Sequence, residues 1–325
     1  MDDAEAGTLR ALAKLTAPYL AIARLDHWFK NIFVLPGIVV ALFADPSLLR
    51  LELLRNAALA LLAMGLVASS YYVLNEILDA PYDGLHPQKE NRPIPSGRVS
   101  IPIAYAEFVL LGILALLTAA SVNRWVLGII AALAIMGCLY NIPPVRTKDH
   151  PYLDILWESV NNPLRLLVGW YCTGITALPP ASLVVAYWML GAFFMAVKRL
   201  AEFRRIDDPA RAAAYRHSFA HYNEERLLVS VTYFAVAFGL FFGIFLVRYR
   251  IELILSVPLI AAFIAWYIHL GFLPDSPTQT PEKLFRHRGF VLYTIICVGV
   301  FVALLFVNLP EIGQIFVPTI HTRAN

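Results

Sequence analysis

Asn75, Asp79 and Asp83, spaced four residues apart, are the chain's strongest candidates for chemistry. On a continuous helix that spacing places all three on one face over about 12 Å. Two carboxylates and a carboxamide so arranged can grip a divalent cation and, through it, a phosphate. His86, Lys89, Arg92 and Arg98 follow at once, and they suit the anionic oxygens that a metal leaves free. Pro81 lies between the two aspartates. It lacks a backbone donor and crowds the carbonyl of Ile77, so the helix is expected to kink or stop there and Asp83 to reach the site from a loop.

A second polar set runs through residues 154–170, DILWESVNNPLRLLVGW. Asp154, Glu158, Asn161 or Asn162, and Arg165 recur at helical spacing, predicting one polar stripe along about three turns. An ionised group at bilayer depth costs roughly 2.5–3.5 kcal/mol even on a lenient scale, so the stripe must face protein, water or ligand. Either it forms a polar wall of a cavity facing the stripe of residues 75–83, or Arg165 pairs with an acid on a neighbouring helix in a buried structural network. Further candidates are Lys30 and Asn31 in RLDHWFKN (residues 24–31), where Asp26 and Lys30 are spaced to pair. Lys198 in KRLAEFRR (residues 198–205) shares a face with Glu202 and Arg205. Both segments also have plainer readings, as an interfacial anchor and as a surface i, i+4 pair. Arg146 and Lys148, after the helix-stopping Pro143-Pro144, read equally well as loop charge or as site residues.

The elements that must position these groups are apolar. The chain has 325 residues, 59% hydrophobic and 15% charged, with a mean hydropathy of +0.65, far from a soluble domain. About nine stretches are long enough to span a bilayer, near residues 20–44, 53–75, 102–122, 125–141, 153–176, 181–203, 226–247, 252–273 and 290–308. They are too long for barrel strands, so the expected fold is all-α: a single polytopic membrane domain, with residues 1–19 as a cytoplasmic leading segment and 309–325 as a tail.

Lysine and arginine concentrate in alternate connections, around Lys89, Arg92, Lys148, Arg204 and Lys283. The positive-inside rule therefore puts the amino terminus and the motif loops in the cytoplasm and the carboxyl end outside. Residues 1–16 carry acids and no apolar core, so no cleavable signal is expected. Cys138, Cys172 and Cys297 fall within apolar runs without metal-ligand spacing and read as packing residues. Residues 207–225 are expected to form a cytoplasmic helix, and residues 275–288 a solvated turn. Beyond Leu227 the spans carry hardly any internal charge, which suits packing or the enclosure of a long apolar tail.

The Asn75-xxx-Asp79-xxx-Asp83 pattern followed by RPIPSG, with a second acidic motif three spans later, resembles the UbiA superfamily of membrane prenyltransferases. Within it, RxxxWxKN at residues 24–31, HPxK at 86–89, and Asp154, Arg165 and Gly169 resemble the decaprenyl-phosphate phosphoribosyltransferase branch. The resemblance implies nine helices around a central cavity in the cell inner membrane, with the active site facing the cytoplasm. It implies Mg2+ held by Asp79 and Asp83 with Asn75 assisting, and phosphate contacts from Lys30, Lys89 and Arg92. Asp154 would orient the ribose or bind metal as a third catalytic carboxylate, and Arg165 would steady it. Asn31, Tyr140, Lys148, Glu158, Asn162 and Lys198 complete the expected substrate-binding set.

The implied partners are a polyprenyl phosphate or prenyl diphosphate lipid, a phosphorylated sugar donor and membrane lipids; no nucleic acid is expected, and a homo-oligomer is left open. The implied reaction joins a polyprenyl phosphate to phosphoribosyl pyrophosphate in building the cell envelope. Prenyl transfer from a prenyl diphosphate to an aromatic or other acceptor is the alternative. A transporter is a third reading, but its polar groups would run toward both faces, whereas here they gather, except for Arg165, at the expected cytoplasmic ends. Glu76, where the family pattern has aspartate, and Pro81 depart from that pattern.

Overall fold

The structure is a computed structural model that describes residues 16–83, 90–206, 211, 216–279 and 281–316. It is helical throughout, with no strand among the described residues. Eight helical segments there are long and apolar enough to cross a bilayer. The ninth expected span, residues 153–176, is not one helix. It is interrupted at Val160 into α5 (Leu153–Ser159) and α6 (Asn161–Cys172). Pro163 supplies the reason, because it cannot donate to the carbonyl of Ser159, the last residue of α5.

The chain sorts into two compact units, residues 1–148 with 164–177, and residues 149–163 with 178–325. In the first unit, a 3-10 helix, Leu25–Val34, runs into α1 (Leu35–Ala44), followed by α2 (Leu51–Asp83), α3 (Ile101–Ala120), α4 (Arg124–Asn141) and most of α6. α2 packs against both α3 and α4. Its buried face is rich in small residues, Ala60, Ala63, Ala68 and Ser69, which allow close helix approach. Ser70 Oγ donates to the Phe108 carbonyl at 2.9 Å. Asn123 caps α4 by accepting from the backbone N–H groups of Trp125 and Val126. α6 meets the junction of the 3-10 helix and α1 backbone to backbone. A Cβ on Gly169 would collide with the Val34 carbonyl, and one on Gly37 with the Leu166 carbonyl.

The second unit holds α5, α7 (Ala181–Arg204), α8 (Glu224–Tyr249), α9 (Val257–Gly271), α10 (Arg288–Phe306) and the short α11 (Pro310–Ile315). α8 lies along α7, whose inner face buries Ala192, Phe193, Ala196, Val197 and Leu200 completely. Of residues 207–225, expected as one helix, 207–210 and 212–215 lie outside the described residues; Arg211 is helical, and a 3-10 helix, His217–His221, leads to α8 at Glu224. The turn after Asp275 is packed at its start and solvated, as expected, beyond it: Ser276 and Thr278 are buried, and Gln279 Nε2 donates to the Ala201 carbonyl at 3.1 Å, whereas Lys283, Arg286, His287 and Arg288 are exposed. The Ser276 and Thr278 hydroxyls and the Gln279 amide find protein partners, which removes the need for water.

Candidate active site

In the first unit the polar cluster is built on the last two turns of α2. The helix does not stop at Pro81 but continues to Asp83. The proline forfeits a single backbone bond, and Asp83 reaches its partners from the helix rather than from a loop. Asn75 and Asp79 share a face, as their spacing predicts, and Asn75 Nδ2 donates to Asp79 Oδ2 at 3.0 Å. The other oxygen of Asp79 accepts from Lys148 Nζ at 2.7 Å and Arg146 Nη2 at 2.9 Å. Asn141, at the end of α4, ties the set together: its Oδ1 accepts from Asn75 Nδ2 at 2.7 Å and Lys148 Nζ at 3.1 Å. The Lys148 ammonium also lies 6.0 Å from the ring centroid of Tyr140.

Asp83 is buried and accepts from Arg92 Nη1 at 2.6 Å. Glu76 points to a different task, accepting the Ile94 N–H at 3.2 Å and so fixing the RPIPSG turn that carries Arg92. Arg98 hydrogen-bonds within that turn, to Ser96 Oγ at 2.9 Å and the Asn91 carbonyl at 2.5 Å. Lys89 and His86 lie outside the described residues. Arg146 has φ of 26°, in the left-handed region that non-glycine residues avoid. Such strain costs on the order of 1–3 kcal/mol and tends to sit where function needs a side chain held. Thr147, between Arg146 and Lys148, has a buried hydroxyl without a partner.

The leading motif of this unit is a 3-10 helix, not an α-helix, and this changes its pairings. With about three residues per turn, positions four apart no longer share a face. Asp26 pairs with Arg24 at 3.3 Å rather than with Lys30. Lys30 Nζ instead lies 3.2 Å from His27 Nδ1, and Asn31 is buried.

In the second unit the centre is Arg199, a residue the sequence reading passed over beside Lys198. Its side chain is fully buried and each guanidinium nitrogen donates to a different carboxylate. Nε reaches Asp154 Oδ2 at 2.9 Å, Nη2 reaches Glu158 at 2.9 Å and Nη1 reaches Glu202 at 3.0 Å. Asp154 has 0% exposure and further donors: Tyr222 Oη at 2.7 Å and Ser218 Oγ at 3.3 Å, with Arg216 at 3.8 Å. Tyr222 Oη in turn accepts the Tyr152 N–H at 2.5 Å. Burial first, and then the charge of Asp154, push the Tyr222 phenol well above its ordinary pKa, so it stays a donor. Lys198 Nζ lies 4.0 Å from Glu202, the plain i, i+4 pair.

The polar stripe expected along one helix is therefore divided. Asp154 and Glu158 on α5 serve Arg199, whereas Asn162, past the break, packs its amide against Gly191 of α7. Arg165 is in the first unit and pairs with no acid among the described residues, contrary to the structural-network reading. The signal for Arg199 was present in its i, i+3 spacing to Glu202; choosing the i, i+4 face through Lys198 hid it.

The α2 cluster fits a magnesium ion in donor chemistry. Asn75, Asp79 and Asp83 offer only oxygen ligands from one helix end. Mg2+ commonly takes one or two carboxylates and completes its shell with water and substrate phosphates. No group of three or more His, Cys, Asp or Glu side chains placed to hold a metal occurs among the described residues. The orphan Thr147 hydroxyl and the cations on Asp79 suit phosphate oxygens.

The model of the UbiA prenyltransferase family matches residues 32–293, most of the chain. The chain belongs to the UbiA prenyltransferase family. This UbiA-family transferase is 28% identical over 236 residues to the decaprenyl-phosphate phosphoribosyltransferase of Mycobacterium tuberculosis, covering 71% of this chain and 74% of the relative. It is 30% identical over 239 residues to the enzyme of the same description from Mycolicibacterium smegmatis, covering 70% of each. In fold it matches a UbiA homolog from Archaeoglobus fulgidus bound to GPP and Mg2+, with a TM-score of 0.67, 22% identity and coverage of 89% of this chain and all of that one. Its apolar helices and its family make it a multi-pass membrane protein.

Proposed function

We propose that this UbiA-family enzyme transfers a phosphoribosyl group from phosphoribosyl pyrophosphate to a polyprenyl phosphate, releasing pyrophosphate, with Mg2+ at the cytoplasmic face of the inner membrane. The observation that carries the reading is the Asp79 carboxylate clamped by Lys148 and Arg146. A carboxylate, two fixed cations and a neighbouring buried carboxylate, Asp83, on Arg92 form a charge pattern complementary to a metal-bound pyrophosphate. The choice of phosphoribosyl over prenyl transfer is supported by the two mycobacterial relatives, each matched over about 70% of its length.

Asp79 and Asp83 would hold the ion, with Asn75 assisting. When bound, magnesium supplies positive charge that stabilises the departing pyrophosphate. Lys148 and Arg146 neutralise Asp79 in the ligand-free chain, and they can turn to pyrophosphate oxygens once the carboxylate has another counterion. Arg92 does the same from Asp83, and Lys30, Asn31, Tyr140 and Lys89 are assigned to the same donor. Once on the bound donor, these cations need no further reorganisation as negative charge grows on the leaving group, which is where electrostatic catalysis gains most. The acceptor phosphate is already anionic, so its attack on the anomeric carbon requires no strong base.

Asp154 is assigned a positioning role. Its carboxylate is filled by Arg199, Tyr222 and Ser218, and through them it holds the 3-10 helix His217–His221 to the start of α5. Glu158, 31% exposed in its side chain, and Lys198, 26%, are assigned to substrate hydroxyl and phosphate groups, and Asn162 to packing.

The test is to incubate purified protein with Mg2+ and either phosphoribosyl pyrophosphate plus polyprenyl phosphate, or prenyl diphosphate plus 4-hydroxybenzoate, and to identify the new lipid. Product from the first pair is expected. Turnover of the second pair alone would replace this reading with prenyl transfer.

A further inference from the structure

Arg165 is the only charged residue of α6. It is 6% exposed, its Nε is buried without a hydrogen-bond partner, and no ion pair or hydrogen bond of its guanidinium is found among the described residues. The contrast with the other deeply buried cations is sharp. Arg199 binds three carboxylates and Lys148 binds Asp79 and Asn141. A guanidinium cannot shed its charge by deprotonation, so burying one unpaired is costly unless something outside the chain supplies the counterion. Unsatisfied buried donors are rare in native proteins, and each calls for such an explanation.

Local packing holds the arginine in place. The Leu166 carbonyl, one residue on, lies against Gly37, and Gly169, one turn on, lies against Val34, so α6 cannot slide or rotate to release the side chain. Its neighbours in sequence, Leu164, Leu166, Leu167 and Val168, are apolar. A planar, bidentate donor matches phosphate oxygens, and an arginine set in an otherwise apolar helical stretch favours a phosphate that carries a hydrocarbon tail. The same unit already supplies Lys148, Arg146 and Arg92 at the α2 cluster for the donor's pyrophosphate.

We propose that Arg165 forms a second, separate anion subsite that takes the phosphate monoester of the acceptor lipid. This rests on the phosphoribosyl-transfer reading for the identity of the lipid, and on the unpaired guanidinium for the existence of the subsite.

The experiment compares full-length wild type, Arg165→Gln and Arg165→Lys in detergent. It measures binding of farnesyl phosphate, as a short lipid monophosphate, and of inorganic pyrophosphate with Mg2+, by native mass spectrometry. Arg165→Gln should weaken farnesyl phosphate at least about tenfold and leave pyrophosphate within about twofold, with Arg165→Lys in between. Because no hydrogen bond or ion pair to the described residues is lost and an unpaired buried charge is removed, the ligand-free melting temperature of Arg165→Gln should equal or exceed that of wild type. Unchanged farnesyl phosphate binding, a loss of pyrophosphate binding instead, or a marked fall in ligand-free melting temperature would each overturn the subsite. The two ideas fail separately. A wild type that transfers phosphoribosyl while Arg165→Gln binds farnesyl phosphate normally sinks the subsite alone. A wild type inactive with phosphoribosyl pyrophosphate, whose farnesyl phosphate binding still depends on Arg165, sinks the reaction and leaves the subsite standing.

Discussion

Replacing Arg199 by methionine removes one buried cation from three carboxylates at once. Asp154 is fully buried, the Glu202 side chain is 11% exposed and that of Glu158 is 31% exposed. Glu158 can recover water, and Asp154 keeps Tyr222 and Ser218 as donors. The main loss is therefore at Asp154 and Glu202, which keep only the longer ion pairs to Arg216 at 3.8 Å and Lys198 at 4.0 Å. Breaking a buried ion pair from one side costs about 3–5 kcal/mol, and about 4 kcal/mol is nearly a thousandfold in the folded-to-unfolded ratio. Against a total stability of roughly 5–15 kcal/mol, this should lower the melting temperature of the purified protein by roughly 10 °C. Arg199→Lys should recover less than half of the loss, because one ammonium cannot span three carboxylates aligned to a planar fork. Adding Glu202→Gln to Arg199→Met should restore part of it, since one stranded charge disappears. Thermal melts in a single detergent read all three variants. An Arg199→Met protein that melts within about 2 °C of wild type would refute the reasoning, because a shift that small corresponds to less than about 1 kcal/mol.

The same geometry has other consequences. Tyr222→Phe leaves an oxygen of Asp154 and the Tyr152 N–H without their shared partner; a loss of about 1–3 kcal/mol is expected, with faster hydrogen exchange in residues 216–222. Gly169→Ala drives a methyl group into the Val34 carbonyl, where neither side is a flexible side chain. Overpacking of this kind costs about 1–3 kcal/mol or more, and the variant should show a clear drop in folded yield, read by size-exclusion chromatography. Chelation with EDTA should abolish turnover and added Mg2+ should restore it, whereas the melting temperature should change little, because Lys148 and Arg146 already neutralise Asp79 in the metal-free chain.

Much of this was legible in the sequence. The apolar runs announced a helical membrane protein, and the four-residue spacing of Asn75 and Asp79 survives as a direct hydrogen bond. What local pattern could not decide was which partner a charge would choose. Arg146 and Lys148 read equally well as loop charge, because their attachment to Asp79 spans nearly seventy residues. Arg199 was hidden for the same reason, since two of its three acids lie on α5. The broken span shows a different limit. Periodicity read residues 154–165 as one stripe, but Pro163 interrupts the helix, so the acids, Asn162 and Arg165 part company. Pro81 is the opposite case: it removes one backbone bond, and the helix runs on through it at least to Asp83.

The central claim is that the carboxylate face of α2 organises departure of pyrophosphate from a ribosyl donor. The most direct measurement is the rate of pyrophosphate release from phosphoribosyl pyrophosphate, with polyprenyl phosphate and saturating Mg2+, by wild type and by Asp79→Asn. A fall of about a hundred- to a thousandfold, in a variant that still elutes as folded protein although Lys148 and Arg146 lose their carboxylate partner, is the predicted result. Near-normal release by folded Asp79→Asn would contradict the account.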